Sequence, residues 1–485
     1  RVDEDALLLA RWPIEGCRSA GRPMAGAPPS RLEWWGSPFG LLVLVEGEKQ
    51  MPWVRALLIV LVVAFTTCGA AWADEPAVSE ETQGCLDCHE SVTPGIVADW
   101  RASRHARVTP SQAQKKPELE RRMSATSVPE KMRAVVVGCY ECHGQNTDRH
   151  KDSFKHKGQQ INVVVSPNDC KTCHPDEVGE YAVSKKAHAH ENLMGNPVYH
   201  QLVDAVDGVQ RLGPKGLESA KASPATLQQT CLGCHGTVVG VDGMRTVESD
   251  LGNVKVPRLT NWPNQGVGRV NPDGSLGSCT ACHPRHGFSL EVARQPYTCA
   301  QCHLEPDTPA WDVYKESKHG NIFMTLGSKW NFDAVPWKVG EHFTAPTCAV
   351  CHASLIVSPT DEVIAKRTHD FGSRLYVRLF GLPYSHPQPK SGRTSIIRNA
   401  DGQPLPTTLA GVPASQYLID AKEQQKRRTG LQAICKACHS TDWTVSYFDH
   451  FDASVSEADK MVKTATDVML LAWKKGVESP KNLFD

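Results

Sequence analysis

Cysteine and histidine residues recur along this chain in one arrangement, Cys-x-x-Cys-His. Eight copies use sixteen of the 18 cysteines, and only Cys17 and Cys68 fall outside them. Two thiols two residues apart add to the two vinyl groups of one heme, and the next histidine reaches the iron from the proximal side. Zinc knuckles do not need a histidine after every second cysteine, and a redox dithiol needs one motif only. The spacing therefore predicts eight covalent c-type hemes, each with its iron.

The copies are numbered motif 1 to motif 8 in chain order. The cysteines predicted to bind heme are Cys85, Cys88, Cys139, Cys142, Cys170, Cys173, Cys231, Cys234, Cys279, Cys282, Cys299, Cys302, Cys348, Cys351, Cys435 and Cys438. The predicted proximal iron ligands are His89, His143, His174, His235, His283, His303, His352 and His439.

Twelve of the 20 histidines lie outside the motifs and could supply second axial ligands. An acidic residue, an aromatic residue, a serine and a histidine recur after motifs 1, 3 and 6, and each segment predicts a short helix that bears one histidine. A single histidine of this kind is more often a surface or core residue, but the surplus and the repeat favour ligation. Two imidazoles per iron favour electron transfer over chemistry. The predicted distal ligands are His105, His156, His188, His200, His286, His319 and His369.

The start of the chain resembles an export signal. Met51, a short positive region, the apolar run 56–65 and the small residues Ala71 and Ala73 are typical of a secretory signal peptide. A membrane anchor is the alternative, but the apolar run is short for a span. We expect residues 1–50 to be upstream sequence outside the natural protein, residues 51–73 to be the signal, and the protein to be exported, for example to the periplasm. Export agrees with heme attachment.

Composition restricts the fold and the partners. Lys and Arg number 53 and Asp and Glu number 53, so a nucleic-acid partner is not indicated. The segment from Asp74 is too short for eight separate cores. The prediction is a mainly α fold with little sheet, in which helices and loops at 74–440 wrap around eight hemes, and which does not fold without them.

The last segment, 441–485, predicts a C-terminal amphipathic helix. Ser454 and Glu457 have the spacing of a capping box, apolar residues follow at helical spacing, and Gly476 ends the pattern. The helix could pack on this chain or on another subunit.

Several local motifs, with the number and order of the eight copies, resemble the octaheme hydroxylamine oxidoreductase family. They are Cys-His-Pro-Arg-His at 282–286, Ser-Lys-His-Gly at 317–320 and Pro-Thr-Cys-Ala-Val-Cys-His at 346–352. The resemblance implies seven bis-histidine hemes that relay electrons and a five-coordinate fourth heme that binds hydroxylamine, hydrazine or nitrite. That heme would lie on motif 4, with His235 as its catalytic ligand. It also implies a homotrimer and, as electron partner, a cytochrome c or a quinol-linked membrane cytochrome.

Two departures from the family leave the direction of the reaction open. The family carries an Asp-His pair after motif 6; here Asp307 is kept as the candidate catalytic acid and Thr308 replaces the histidine. Oxidative members carry a cross-linking tyrosine beyond the terminal helix, whereas this sequence stops at Asp485, so we expect a truncated chain. The resemblance favours an enzyme, possible in either direction. The alternative is an electron-transfer cytochrome with all eight irons six-coordinate.

Overall fold

A computed structural model describes residues 76–214, 216–248, 252–305, 308–379, 385–394, 397–399, 406–408 and 415–476. Residues 74–485 form a compact unit of their own. The predicted signal peptide, Asp307 and the side chain of His200 lie outside the described parts of the chain.

Helices dominate the fold, and most of them are short. They are α1 (Glu80–Val92), α2 (Pro94–Ala102), α3 (Pro110–Gln114), α4 (Glu130–Arg133), α5 (Cys139–His143), α6 (Pro167–Cys170), α7 (Pro175–Ala182), α8 (Ala189–Met194), α9 (Pro197–Asp207), α10 (Pro224–Gln229), α11 (Cys231–His235), α12 (Leu290–Arg294), α13 (Pro296–Ala300), α14 (Ala310–Glu316), α15 (Lys318–Leu326), α16 (Cys348–His352), α17 (Ala421–Lys436) and α18 (Thr441–Lys474).

The strands form small sheets of two or three strands in the described residues. They are β1 (Ser153–His156), β2 (Gln159–Asn162), β3 (Val209–Gly213), β4 (Gly216–Ala220), β5 (Gly240–Val247), β6 (Val254–Thr260), β7 (Trp337–Lys338), β8 (Ile356–Val357), β9 (Val363–Ala365), β10 (Val377–Arg378), β11 (His386–Pro387), β12 (Ile397–Asn399) and β13 (Pro406–Thr408). Their pairing is antiparallel except between β7 and β8. The predicted mainly α fold with little sheet is confirmed.

The heme motifs fold as single helical turns. In motif 6, for example, the amide of His303 donates to the carbonyl of Cys299 at 2.9 Å, and the same bond joins His439 to Cys435. One turn brings residues three and four apart onto one side of a helix. Both sulfurs and the imidazole of a motif can therefore face one macrocycle.

The repeat after motifs 1, 3 and 6 is a real structural unit. A helix ends at each serine, whose amide donates to the carbonyl of the aromatic residue three positions earlier at 2.8–3.0 Å. In two copies the aromatic side chain then donates to a backbone carbonyl two residues before the first cysteine of the next motif: Trp100 Nε1 to Val137 at 3.0 Å and Tyr314 Oη to Pro346 at 3.1 Å. The prediction that the histidine lies on this helix is wrong in all three copies, because the serine turn ends the helix first; His319 lies in the next helix, α15.

The terminal helix is longer than its capping pattern predicts. It begins at Thr441, where Ser440 is the N-cap and accepts from the amide of Trp443, and it runs to Lys474. The predicted capping box at Ser454 is wrong, because this serine lies within the helix. Gly476 follows the end of the helix with φ 72°, as glycine at this position commonly does.

Apolar side chains form a core beside motif 7. Trp337 is fully buried, with its ring centroid 4.5 Å from that of Phe343. The guanidinium of Arg294 lies 4.5 Å from the Trp337 ring and donates to the carbonyl of Phe332 at 2.8 Å. The cluster includes Val350 from within motif 7, so this core positions that motif.

Among the described residues, none of the helices has the length and apolar character that crossing a membrane requires.

Candidate heme and redox site

Thiols from different motifs approach one another throughout the described chain. Cys85 hydrogen-bonds to Cys139, Cys170 to Cys279, Cys299 to Cys348, and Cys302 to Cys234. Three further thiol pairs interact electrostatically: Cys142 with Cys173, Cys282 with Cys299, and Cys351 with Cys435. Inter-motif disulfides would use some of these thiols, but they would leave the motif histidines unexplained.

These contacts arrange the motifs in a row with a side branch. The row runs through motifs 1, 2, 3, 5, 6, 7 and 8, each joined to the next by a pair of thiols. Motif 4 joins this row at motif 6, through Cys234 and Cys302. A path from motif 1 to motif 8 therefore exists that does not pass through motif 4.

Three motif histidines face a histidine from elsewhere in the chain. The ring centroids are 6.3 Å apart for His89 and His156, 6.4 Å for His105 and His174, and 6.1 Å for His319 and His439. A metal–imidazole bond of about 2 Å, with the ring centre about 1 Å behind the nitrogen, places two axial imidazoles about 6 Å apart. The residues present thus fit a bis-histidine iron at motifs 1, 3 and 8.

Backbone carbonyls orient several motif imidazoles. The Nδ1–H of His143 donates to Asn162 at 2.7 Å, and that of His235 donates to Ala189 at 3.0 Å. A metal-binding histidine usually donates its other ring N–H in this way, which fixes the ring and leaves Nε2 for the metal. The helix α8, which begins at Ala189, therefore holds the motif 4 imidazole in place.

Burial keeps key imidazoles in the neutral form that binds metals. Burial first, and then the neighbouring His174, lowers the pKa of His105 to about 4. Burial likewise lowers the pKa of His283 to about 4, with His369 as its nearest charged cause. Both rings are neutral near pH 7.

The other predicted distal ligands differ in their surroundings. His369 acts electrostatically on His283 of motif 5, and His143 of motif 2 acts in the same way on His286. His188 instead has Nε2 3.0 Å from the carbonyl of Ala182 and Nδ1 3.4 Å from Glu191. Both of its ring nitrogens thus contact protein groups, and the structure does not bring it opposite a motif histidine in the ring contacts of the described residues.

A lysine contacts the histidine of motif 6. The Nζ of Lys186 is 2.6 Å from Nε2 of His303, the nitrogen that faces iron in a heme motif. Lys186 lies two residues before His188, the predicted distal ligand.

Sequence reasoning also missed His386. This ring is 3% exposed, its Nδ1–H donates to the carbonyl of Pro387 at 2.7 Å, and its Nε2 has no hydrogen-bond partner in the described structure. It resembles the motif histidines in this respect. The sequence repeat does not include His386. The strands β10 and β11 bury it, and they are too short to be predicted from sequence.

The segment after motif 6 folds back on that motif. The amide of Trp311 donates to the carbonyl of His303 at 2.9 Å, and the amide of Thr308 donates to Leu304 at 3.1 Å. Thr308 therefore lies beside motif 6, which adjoins motif 4 through Cys302. Asp307, the candidate catalytic acid, lies outside the described residues.

Two family models match the chain. The model "Cytochrome c554 and c-prime" matches residues 84–164 and 169–255, and "Seven times multi-haem cytochrome CxxCH" matches residues 273–372. A solved structure titled "Hypothetical multiheme protein" is 44% identical with a TM-score of 0.77, and the match covers 84% of each chain. The chain belongs to the multiheme cytochromes c.

Further relatives of this multiheme cytochrome are connected with nitrogen chemistry by name. A "Probable nitrite reductase-hydroxylamine oxidoreductase fusion protein" from Kuenenia stuttgartiensis is 25% identical over 407 residues, which is 79% of this chain and 36% of the relative. The chain thus spans about a third of that curated relative. A solved Kuenenia stuttgartiensis "reducing HAO-like protein complex" is 22% identical with a TM-score of 0.53, covers 83% of this chain and 63% of its own, and shares the fold. The predicted resemblance to the hydroxylamine oxidoreductase family is confirmed.

Membership of this class implies covalent heme c with iron as the cofactor, which the motif turns and the facing imidazoles fit. That the chain binds eight hemes remains a prediction.

Proposed function

We propose that this multiheme cytochrome is an exported heme oxidoreductase that acts on a small nitrogen compound at a heme on motif 4. The other seven hemes carry electrons to or from that heme. Hydroxylamine, hydrazine and nitrite are the candidate substrates. When bound, heme supplies an iron that can take such a ligand directly and exchange electrons with it.

The side branch at motif 4 carries this proposal. Electrons can pass along the row of the other seven motifs without crossing motif 4, so a substrate on motif 4 does not interrupt transport. The contact of Cys234 with Cys302 gives the branch its connection to the row. A row of hemes can also store electrons. Storage suits a reaction that transfers several electrons, because the partner proteins exchange electrons one at a time.

The protein groups near motif 4 position the reaction. Ala189 orients the imidazole of His235, and the segment that contains Thr308 lies against the neighbouring motif 6. Asp307 would relay protons there. Because threonine does not titrate near neutral pH, a family pocket with Thr308 lacks the proton donor that histidine provides.

The reaction balances in either direction. Hydroxylamine and one water give nitrite, five protons and four electrons. In reverse, nitrite accepts electrons and protons and returns water. The departure at Thr308 leaves the direction open; in the reductive direction nitrite or hydroxylamine moves toward ammonium.

An electron conduit without substrate chemistry is the second candidate. The facing imidazoles at motifs 1, 3 and 8 favour it, since paired imidazoles make six-coordinate irons that do not bind substrate. It requires a sixth ligand at motif 4 as well.

Export and partners belong to the proposal. The signal at 51–73 would send the chain out of the cytoplasm, where a small cytochrome c or a quinol-linked membrane cytochrome would exchange electrons with it. By resemblance to its family the protein would be a homotrimer.

Steady-state assays on natively purified holoprotein test the proposal. We expect turnover of nitrite or hydroxylamine with a chemical electron donor or acceptor, and loss of that turnover in His235→Ala while the other hemes stay reducible. Turnover that persists in His235→Ala would move the reaction to another motif. A matched control is His450→Ala, which replaces an exposed histidine outside the predicted ligands.

A further inference from the structure

Three aromatic rings stack outward from motif 8 at the start of the terminal helix. The ring centroids of His439 and Trp443 are 3.9 Å apart with 18° between the ring planes, and those of Trp443 and Tyr447 are 5.1 Å apart with 13°. These residues are four positions apart, the spacing that places side chains on one side of a helix. We name the three rings the aromatic stack.

The aromatic stack ends at the protein surface. Trp443 is 44% exposed and Tyr447 is 52% exposed. Another side of α18 is buried through Thr444 and Phe448, and the Phe448 ring lies 6.2 Å from that of Tyr376. The helix is therefore held by that side, and the two outer rings of the stack are left to solvent. Tryptophan and tyrosine are enriched where proteins bind one another.

Motif 8 itself reaches the solvent. Of the sixteen motif thiols, all of which lie in the described residues, Cys438 alone is exposed. Heme attached at Cys438 would have an edge near the surface. Motif 8 also ends the row, which it joins through Cys351 and Cys435. At the end of a row, electrons can enter or leave without crossing another heme.

Negative charge exceeds positive charge in this half of the terminal helix. From Thr441 to Asp459 the helix has no lysine or arginine. Its carboxylates there are Asp442, Asp449, Asp452, Glu457 and Asp459. Arg428 on α17 pairs with Asp449 at 3.0 Å and with Asp452 at 2.9 Å, and Lys436 of motif 8 is exposed. Five carboxylates against these two cations attract a partner with a positive face.

We propose that Trp443, Tyr447 and the acidic half of α18 form the docking surface for a small, positively charged heme protein that exchanges electrons with motif 8. Each encounter moves one electron, so that a ferric partner iron becomes ferrous while one iron of the row becomes ferric, or the reverse. A small exposed aromatic surface suits such partners, because electron-transfer encounters bury little area. This inference rests on the proposed function, to which it adds the place where the electron partner binds.

Stopped-flow oxidation of dithionite-reduced holoprotein by ferric mitochondrial cytochrome c, a small basic heme protein, tests the surface. We expect Trp443→Ala and Tyr447→Ala each to lower the second-order rate constant about tenfold or more, since aromatic residues at the centre of an interface carry much of its binding energy. Trp443→Phe keeps an aromatic ring and should stay within a few-fold of the unchanged protein. Leu212→Ala removes an 87% exposed apolar side chain from β3 and is the control.

The acidic residues are tested separately. Asp442→Asn combined with Glu457→Gln should lower the rate about tenfold at low salt and little at high salt, because salt screens electrostatic steering. Asp242→Asn replaces a 65% exposed carboxylate on β5 and is the control. Carbodiimide cross-linking followed by mass spectrometry should join lysines of cytochrome c to Asp442 or Glu457 and not to Asp242.

A small oxidant separates docking from damage to the heme. Oxidation by ferricyanide, heme content and the low-spin iron signals should be unchanged in Trp443→Ala and Tyr447→Ala. Unchanged rates with cytochrome c, or an equal slowing with ferricyanide, would overturn the proposal. So would a change of native mass in Trp443→Ala, because the aromatic stack would then bind a second copy of this chain.

The two proposals fail in different ways. If the holoprotein turns over neither nitrite nor hydroxylamine but Trp443→Ala slows cytochrome c, the proposed catalysis is wrong and the docking surface stands on an electron conduit. If turnover is present and cytochrome c reacts equally with every variant, the docking surface is wrong and the proposed function stands.

Discussion

The imidazoles of His319 and His439 face each other with centroids 6.1 Å apart, the separation that one iron bound to both would require. His319 comes from the repeat after motif 6, and His439 ends motif 8. The repeat thus places a histidine opposite a motif far along the chain. His105, from the repeat after motif 1, lies opposite motif 3 in the same way, and His156 in β1 lies opposite motif 1.

Replacing His319 with alanine should convert one low-spin iron to high spin. The iron on motif 8 would lose its sixth ligand, and removing an axial imidazole opens the site to exogenous ligands. Electron paramagnetic resonance of the oxidised holoprotein measures the change. His188→Ala is the matched control, since its ring nitrogens contact Ala182 and Glu191, and its spectrum should not change. A high-spin signal in His188→Ala and an unchanged spectrum in His319→Ala would make His188, rather than His319, the axial ligand.

The sequence predicts the motifs and the helical fold, because those features are local. Cys-x-x-Cys-His requires only one helical turn, and the acid–aromatic–serine–histidine repeat marks His105 and His319 through spacing alone. The row and branch of the motifs depend on contacts between distant segments, such as Cys170 with Cys279, which no local pattern encodes.

The surroundings of His188 could not be predicted from the repeat. The serine turn ends α7, and the chain then enters α8 with His188 bonded to the backbone of α7, while Lys186 points to motif 6. His386 escaped prediction because its burial depends on the pairing of two short strands. Ser454 misled because a serine within a long helix has the same spacing to Glu457 as a true cap.

His150 should make the stability of the holoprotein depend on pH. Its Nδ1 lies 3.0 Å from Asp152 and its Nε2 3.2 Å from Asp169, with Asp273 at 3.9 Å, and these side chains are buried. Burial opposes the charge, but the carboxylates of Asp152 and Asp169 outweigh it and raise the pKa of His150 to about 10. The folded state therefore holds the proton more tightly than the unfolded state.

The sign of this effect follows from the raised pKa. The stabilisation is complete below about pH 6.5, the ordinary histidine value, and is lost as pH rises toward about 10. We expect His150→Gln to cost about 3 kcal/mol at pH 6, since it leaves buried carboxylates without their cation, and less at pH 10. Thermal unfolding from pH 6 to 10 measures the gap, with exposed His450→Gln as control. A gap that stays constant with pH would show that His150 is uncharged in the fold.

Trp337→Ala should weaken the fold around motif 7. The ring is fully buried, contacts Phe343 and lies under Arg294, so its removal should cost about 3–5 kcal/mol. Thermal unfolding of the holoprotein measures this, and Tyr447→Ala, a 52% exposed aromatic residue, is the control. Equal effects of both substitutions would show that heme contacts, rather than this core, stabilise the region.

Heme content should follow the motif count. Intact mass of the mature holoprotein should correspond to eight hemes, and Cys435→Ser combined with Cys438→Ser should remove one. Each thiol pair binds one heme through two bonds, so the loss should be a single step. Seven hemes in the unchanged protein would mean that one motif stays empty, and the same double substitution at each motif would identify it.

Nitric oxide titration of the natively purified holoprotein, followed by electron paramagnetic resonance, tests the central claim most directly. The claim is that one heme, on motif 4, stands beside the electron row with an iron open to substrate. It predicts one nitric oxide-binding iron per chain and its loss when Cys231→Ser is combined with Cys234→Ser, with the other hemes still low-spin and reducible. A protein whose irons are all low-spin and bind no nitric oxide would contradict the account and identify an electron conduit.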